Sequence, residues 1–281
     1  MRTSLGSGGV AARVLRRPSA AAAAIVISII ILGVVFAPLV APYAQGASDY
    51  NHLFGGPTFA HPFGTDELGR DLLTRVLYGG RTSLEIALLA TALAIGLGSA
   101  WGFGAAIARG WSEEVLMRVA DLTLAMPVIL VGLVLVAAFG PSTTNLVLIL
   151  GVLFAPATAR LARSALLSEL EAEYYLAAVS VGASPRRILF QELLPNTLPV
   201  LLARASLVAA DAIFVEASLS FVGLGVQPPS ASWGTLLQTG YTNLYRSYWY
   251  PIFPGVVIIV AVLCFNVLGD NIQRALDPAR R

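Results

Sequence analysis

Apolar residues gather in six runs, from about Ser19 to Val40, Leu84 to Ala106, Leu116 to Phe139, Leu146 to Ala165, Leu198 to Val215 and Pro251 to Leu268. Each is near the length that crosses a hydrocarbon core about 30 Å thick. The pattern predicts an all-α membrane protein with six transmembrane helices. The first run follows Arg13, Arg16 and Arg17 and so has the flank of a signal peptide. It is longer than the roughly 7–15 apolar residues such a segment carries, so it reads as a retained span, 19–40, behind an N-terminal segment, 1–18. Within the spans, Pro127 should kink the third by removing a helical donor. Gly98 and Gly102 form a GxxxG pair in the second, a surface for close helix packing.

Two polar stretches between spans have patterns of their own. In the loop 41–83, "HPFGTDELGRDLLTRVLYGGRTSLE" places Leu68, Leu72, Leu73, Val76 and Leu77 on one helical face and Arg70, Asp71, Thr74 and Arg75 on the other. This predicts an amphipathic surface helix over about 66–78, ended by Gly79 and Gly80. Thr82 and Glu85 then have the spacing of a capping box that opens the second span. Such a helix serves either as an interfacial stabiliser or as a docking surface for an external partner. In the loop 219–250, Trp233, Tyr241, Tyr245, Tyr248, Trp249 and Tyr250 suit anchors at headgroup depth. Part of this loop could instead form a re-entrant cover over a pathway, where protein or water shields the backbone.

Composition agrees and narrows the class. The chain of 281 residues is 57% hydrophobic and 12% charged, about half the charged share of a soluble domain. A net charge of +2, with basic residues at span ends and not in one patch, is too small to suggest a nucleic-acid partner, and none is expected. All 18 basic residues are arginine. Without lysine there is no Walker A loop, so the chain cannot bind ATP in that way and no cofactor is expected in it. Cys264 is alone, and His52 and His61 both precede the second span, so no metal cage or Ser–His pair lies at membrane depth. Arginines at 2, 13, 16 and 17, at 160, 163, 186, 187 and 204, and at 274, 280 and 281 mark the cytoplasmic side. Both termini are therefore expected inside, against the contrary vote of Arg70, Arg75 and Arg81. Asp211 and Glu216 are acids within or beside the fifth run, candidates for a translocation path or for partners of hydroxyl or backbone groups in the bundle.

The stretch "EYYLAAVSVGASPRRILFQELLPN", from Glu173 to Asn196, breaks the membrane pattern. A helix should end at Gly182 in the left-handed conformation, and Ser184 should cap a second helix with Pro185 at its first position. Arg186 and Arg187 then fall near the positive end of a helix dipole, which disfavours cations by a few tenths of a kcal/mol. Local stability does not place them there. They are offered to an acidic partner surface or to lipid phosphates, whereas a plain cytoplasmic loop would not need two capped helices.

This stretch resembles the "EAA" loop of the permease subunits of ATP-binding-cassette importers, with the pattern EAA, three residues, Gly, nine residues, I, one residue, LP. Ala177, Ala178, Gly182, Leu194 and Pro195 stand in register; Leu176 replaces the leading Glu and Glu192 the Ile. "HPFGTDELGRDLLTRVLYGGRTSL", "DLTLAMPVILV", "EASLSFVGLGVQPPSASWG" and "LGDNIQRALDP" are similar to signatures of the dipeptide, oligopeptide and nickel branch, specifically its C-type permease. The resemblance implies a type I importer (MetI-like) fold, with a core over 84–272, a coupling loop over 169–195 and a cytoplasmic tail over 273–281. It implies ATPase-coupling roles for Ala177, Ala178, Gly182, Ala183, Ser184, Pro185, Arg186, Arg187, Leu194 and Pro195. Its partners would be a second, B-type permease, two cytoplasmic ATPase subunits or domains carrying ATP and Mg, and an extracytoplasmic binding protein. The setting implied is the bacterial cytoplasmic membrane. The implied function is a non-catalytic permease for dipeptides or short oligopeptides, with nickel and glutathione as alternatives. The competing class, a self-sufficient secondary transporter, calls for inverted repeats and broken midplane helices, and neither is visible in the sequence.

Overall fold

The computed structural model describes residues 13–276 except 229. Arg2, Arg280, Arg281 and the end of "LGDNIQRALDP" lie outside the described residues, as do most of the segment 1–18 and part of the tail 273–281. The described residues are helical, and their one β-type pairing is an isolated bridge between Thr65 and Asp71. In chain order the helices are α1 (Pro18–Val35), α2 (Ala37–Val40), α3 (Leu72–Ala108), α4 (Gly110–Leu124), α5 (Val128–Phe139) and α6 (Thr143–Leu170). There follow α7 (Glu173–Ser180), α8 (Pro185–Ile188), a π-helical turn (Leu189–Leu193), α9 (Leu194–Phe221), α10 (Trp233–Thr242) and α11 (Trp249–Leu276). Among the described residues, five helices are long and apolar enough to cross a membrane: α1, α3, α6, the continuous Pro185–Phe221 rod and α11. Helices α4 and α5 make a sixth crossing only if they count as one span, bent by 88°.

That bend goes beyond the kink expected at Pro127. Pro127 is extended (φ −61°, ψ 117°) and precedes α5 as its N-cap, because it can neither donate to the preceding turn nor fit beneath it. The polarity of α4 completes the break. Glu113 and Asp121 on α4 pair with α6, Arg163 Nε lying 2.6 Å from Glu113 and Arg160 3.3 Å from Asp121. One apolar run in the sequence is thus a polar helix pinned to α6 and an apolar half-span set across it.

The amphipathic helix expected over 66–78 is not formed. Residues 66–71 are a folded loop, and α3 begins at Leu72, where the Asp71 carboxylate accepts the Thr74 amide at 2.7 Å. From there α3 runs through Gly79, Gly80, Thr82 and Glu85 without interruption, so those glycines end no helix and no capping box opens at Thr82. They serve close approach instead. A Cβ on Gly80 would lie 2.5 Å from Val34 Cγ2 and 2.8 Å from the Trp233 ring. The expected polar face is buried as deeply as the apolar one: Asp71 and Thr74 are enclosed with Leu72 and Val76.

Helix α3 packs along α6, where Gly98 approaches Thr158 and Gly102 the Arg163 backbone, as their spacing predicted. Helix α9 lies between α11, α3 and α6, and α10 tucks back against α11, α9 and α3. Trp233 and Tyr250 are fully buried there and do not join the aromatic belt expected of them, while Tyr241, Tyr245, Tyr248 and Trp249 stay exposed. A buried indole must place its N–H; that of Trp233 donates to the Val76 carbonyl at 2.9 Å.

Candidate functional site

The polar hairpin is built as its residues predict. Gly182 has φ +76°, its amide donates to the Val179 carbonyl at 3.0 Å, and the Ala183 amide reaches the Ala178 carbonyl at 3.1 Å. These two bonds are a Schellman motif, which satisfies helix-end carbonyls and needs a left-handed residue at the turn. Its customary apolar contact is also present, since Ala178 and Ala183 both pack on the small core of Ala106, Leu166, Ile188 and Leu193. The Ser184 hydroxyl accepts the Arg187 amide, and Pro185 opens α8. The Tyr174 hydroxyl donates to Glu169 at 2.6 Å. Burial, and then this bond, push the phenol up to about 12.

The second helix is not a short one, as the sequence implied. It is one end of an uninterrupted rod, Pro185–Phe221, of 37 residues. Pro195 would end an ordinary helix by clashing with the Gln191 carbonyl four residues back. Here the π-helical turn Leu189–Leu193 widens the backbone at that carbonyl, and the rod passes through. Leu194 and Pro195 are therefore part of the rod, while Ala177, Gly182, Ser184, Pro185, Arg186 and Arg187 are exposed around the hairpin tip. Arg187 is held by Gln191 at 3.1 Å. Leu176, Val179, Val181 (83% exposed) and Phe190 (66%) add a bare apolar surface at the same tip.

Asp211 and Glu216, grouped together by sequence, part company. Five residues apart on one helix, they point about 140° away from each other. Asp211 is exposed beside Phe214, on a stripe that also carries the half-buried Arg204 and Ser218. Arg204 sits two turns before it, half-buried, with a buried Nε that has no hydrogen-bond partner among the described residues. Glu216 is wholly enclosed. Its carboxylate accepts the Ser83 hydroxyl at 3.1 Å and the Ser220 hydroxyl at 2.7 Å. Ser83 Oγ in turn accepts the Trp233 amide at 3.0 Å, and the Ser232 hydroxyl lies 3.4 Å from that of Ser220. One carboxylate thereby ties α3, α9 and the start of α10 together.

Sequence reasoning missed Ser83, Ser220, Ser232 and the buried role of Trp233. The signal was present in part. Glu216 and Ser220 lie four residues apart on one face of an apolar helix, where a polar pair needs a third partner. Likewise "GTDELGRD" folds on itself: Asp66, fully buried, accepts the Leu68 and Arg70 amides, both at 2.9 Å, and Arg70 Nε at 2.6 Å. Glu67 takes the other arm of Arg70 at 2.9 Å and the Tyr250 hydroxyl at 2.8 Å.

Comparison with known proteins places this geometry. Residues 86–281 match the binding-protein-dependent transport system inner membrane component family, and residues 9–62 the N-terminal TM domain of oligopeptide transport permease C. The chain is 36% identical over 254 residues to the dipeptide transport system permease protein DppC of Alkalihalophilus pseudofirmus, covering 90% of this chain and 84% of that one. It is 35% identical over 267 residues to the glutathione transport system permease protein GsiD of an Escherichia coli O6:K15:H31 strain, covering 95% and 88%. In fold it matches a chain of the inward-facing methionine transporter MetNI with a TM-score of 0.60 at 21% identity, over 72% of this chain and 96% of that one.

Proposed function

The chain belongs to the family of binding-protein-dependent transport system inner membrane components, and from that premise we propose that it is the C-type permease of an ATP-driven importer of dipeptides or short oligopeptides. It is a multi-pass protein of the bacterial inner membrane, with the MetI-type permease fold. In this reading it pairs with a B-type permease, and each supplies helices to the path. Two ATPase subunits, which bind ATP and Mg, close against the hairpin, and a binding protein delivers substrate at the opposite face. The chain carries no nucleotide chemistry itself. The hairpin and both termini face the cytoplasm.

The observation that carries this reading is the rod Pro185–Phe221. At about 1.5 Å per residue it is some 55 Å long. It begins at an exposed tip of mixed apolar and cationic character and ends at the buried Glu216 cluster that holds α10 in the bundle. A push at the tip moves a stiff element and not a flexible loop, which is what transmission from a closing ATPase to the pathway requires. Asp211 lies about three-quarters of the way along the rod, with its side chain exposed. A carboxylate at that depth requires water or a partner, and in this reading it borders the path between the two permeases.

The permease relatives differ in cargo, so cargo is the point to test. The complete complex in proteoliposomes should take up labelled dipeptide in an ATP-dependent way and leave nickel and glutathione largely outside. Uptake of either in preference to dipeptide would move the assignment to that substrate. This chain purified alone should release no phosphate from ATP above background, whereas nucleotide turnover by it would remove the subunit reading. Reporter fusions at Gly55 and Ser184 should lie on the outer and inner sides respectively, and the reverse would overturn the orientation.

A further inference from the structure

At the end of the rod away from the hairpin, the loop 66–70, the chain after α9 and one face of α10 enclose a cavity of about 530 Å³. This is the size of a small-molecule site, about 300–1,000 Å³. Its wall includes Arg70, Arg75, Glu67, Gln227, Gln238 and Thr239. Most of these polar groups are engaged. Arg70 is held by Asp66 and Glu67, both oxygens of Glu67 are taken by Arg70 and Tyr250, and Gln227 donates to the Gly225 carbonyl at 2.9 Å. The Thr239 hydroxyl is spent on the Thr235 carbonyl at 3.0 Å.

Two donors are left over. Arg75 Nε is 3.8 Å from Asp66, too far for a hydrogen bond, and it is buried without a partner. The Asp66 oxygens are already taken by two amides and by Arg70. The side chain of Arg75 is 13% exposed, and its Nε gives up water without gaining a protein acceptor, an arrangement that disfavours the empty site. Gln238, on α10 across the cavity, makes no hydrogen bond among the described residues. Asp66 and Glu67 together balance the charges of Arg70 and Arg75, so what the wall offers is unspent donors and not excess charge.

We propose that this cavity is a carboxylate subsite in which the fork of Arg75, assisted by the Gln238 amide, receives the C-terminal carboxylate of a peptide at one mouth of the permease. A planar guanidinium matches a carboxylate in bidentate fashion, and the cavity admits a chain end rather than a protein surface. The assignment rests on the peptide reading given above. It adds a consequence to the Glu216 cluster, because Ser220 also lines the cavity. A carboxylate bound there touches the residues that hold α10, so occupancy and the seating of α10 are linked.

The test uses the assembled transporter in nanodiscs without binding protein, with acetate, alanylalanine and alanylalanine amide as probes of saturation-transfer NMR. Acetate and the free dipeptide should give signal and compete with each other; the amide should not compete. Arg75→Gln and, independently, Gln238→Leu should weaken both signals, the first by roughly ten-fold or more in half-saturation. Signals unchanged in both variants, or an amide that competes as well as the acid, overturn the proposal. It is equally overturned if Arg75→Gln leaves these signals intact but removes stimulation of ATP hydrolysis by the unliganded binding protein, since the cavity then receives a carboxylate of that protein. Uptake by the wild-type complex separates the two readings. Dipeptide uptake without acetate binding sinks the subsite alone, while Arg75-dependent acetate binding without dipeptide uptake sinks the peptide reading.

Discussion

The two ends of the Pro185–Phe221 rod invert the usual distribution of polarity. At the hairpin end, Val181 and Phe190 are bare and apolar beside Arg186 and Arg187. At the other, Glu216, Ser220, Ser83 and Ser232 are polar and buried. Exposed apolar surface and buried polar groups are the observations that carry information, because scattered surface leucines and buried ones are both expected. The difference teaches where each end finds its energy. In the importer reading proposed above, the hairpin end completes itself by covering its tip with another protein. The buried end is already complete, since every oxygen of Glu216 has its hydroxyl, and its role is to hold the chain together.

Changes at the tip should therefore destroy transport and spare the fold, and changes at the buried end should do the reverse in proportion to the bonds they remove. The largest effect is expected from Gly182→Val. No atom lies within 4 Å of a Cβ built there, so the whole penalty is backbone. A β-branched residue at φ +76° costs at least about 1–2 kcal/mol as a left-handed conformer and will re-aim the α7–α8 turn. Peptide uptake should fall to background while the chain still inserts and pairs with the second permease. Arg186→Glu with Arg187→Glu should give the same split, and wild-type uptake by either variant would reduce the hairpin to a charged loop. Pro38→Ala, in α2, serves as the unaffected control.

Next in size is Glu216→Ala. It leaves the Ser83 and Ser220 hydroxyls facing a void in the core, at a cost of about 2–4 kcal/mol, read as a lowered Tm of the purified complex. Glu216→Gln keeps the shape and one acceptor, and should recover more than half of that loss. Equal losses from the two would mean that charge, and not the hydrogen-bonded bridge, holds α10. Smaller still is Trp233→Phe. It forfeits the N–H bond to the Val76 carbonyl and some ring area, about 1–2 kcal/mol, while the Glu216 bridge and the backbone bond to Ser83 persist.

The tip was the legible end. Gly182, Ser184 and Pro185 act through their own backbone and immediate neighbours, so a reading of capping chemistry places them correctly before any fold is known. The spans were legible for the same reason, since hydropathy is summed over a local window. What failed needed distant partners. Gly79 and Gly80 look like helix terminators until Leu236 arrives beside the first and Val34 and Trp233 beside the second from elsewhere in the chain. Trp233 and Tyr250 look like belt residues until Val76 and Glu67 supply acceptors inside. The break at Pro127 was visible as a proline, but the Arg160 and Arg163 partners that α4 meets on α6 were not.

The smallest effect sharpens the comparison from within the tip. Tyr174→Phe removes the bond to Glu169, which anchors the start of α7 to the end of α6 without touching the exposed surface that would meet a partner. The phenol is only partly shielded from water, so the loss should be about 0.5–1 kcal/mol. It should be seen as faster amide exchange over residues 173–183 with docking and uptake close to wild type. The pH dependence reports on the phenol itself. Burial and Glu169 raise the phenol to about 12, above its ordinary value near 10. A raised acid keeps its proton longer in the folded chain than in the unfolded one, so its stabilising effect is complete below pH 10 and is lost as pH climbs from about 10 towards 12. Wild-type exchange over α7 should therefore be flat from pH 6 to pH 9 after correction for intrinsic rates, and accelerate only above that. The Phe variant should lack the alkaline rise. A wild-type hairpin that loosened between pH 6 and pH 9 would show that some other titrating group holds α7 in place.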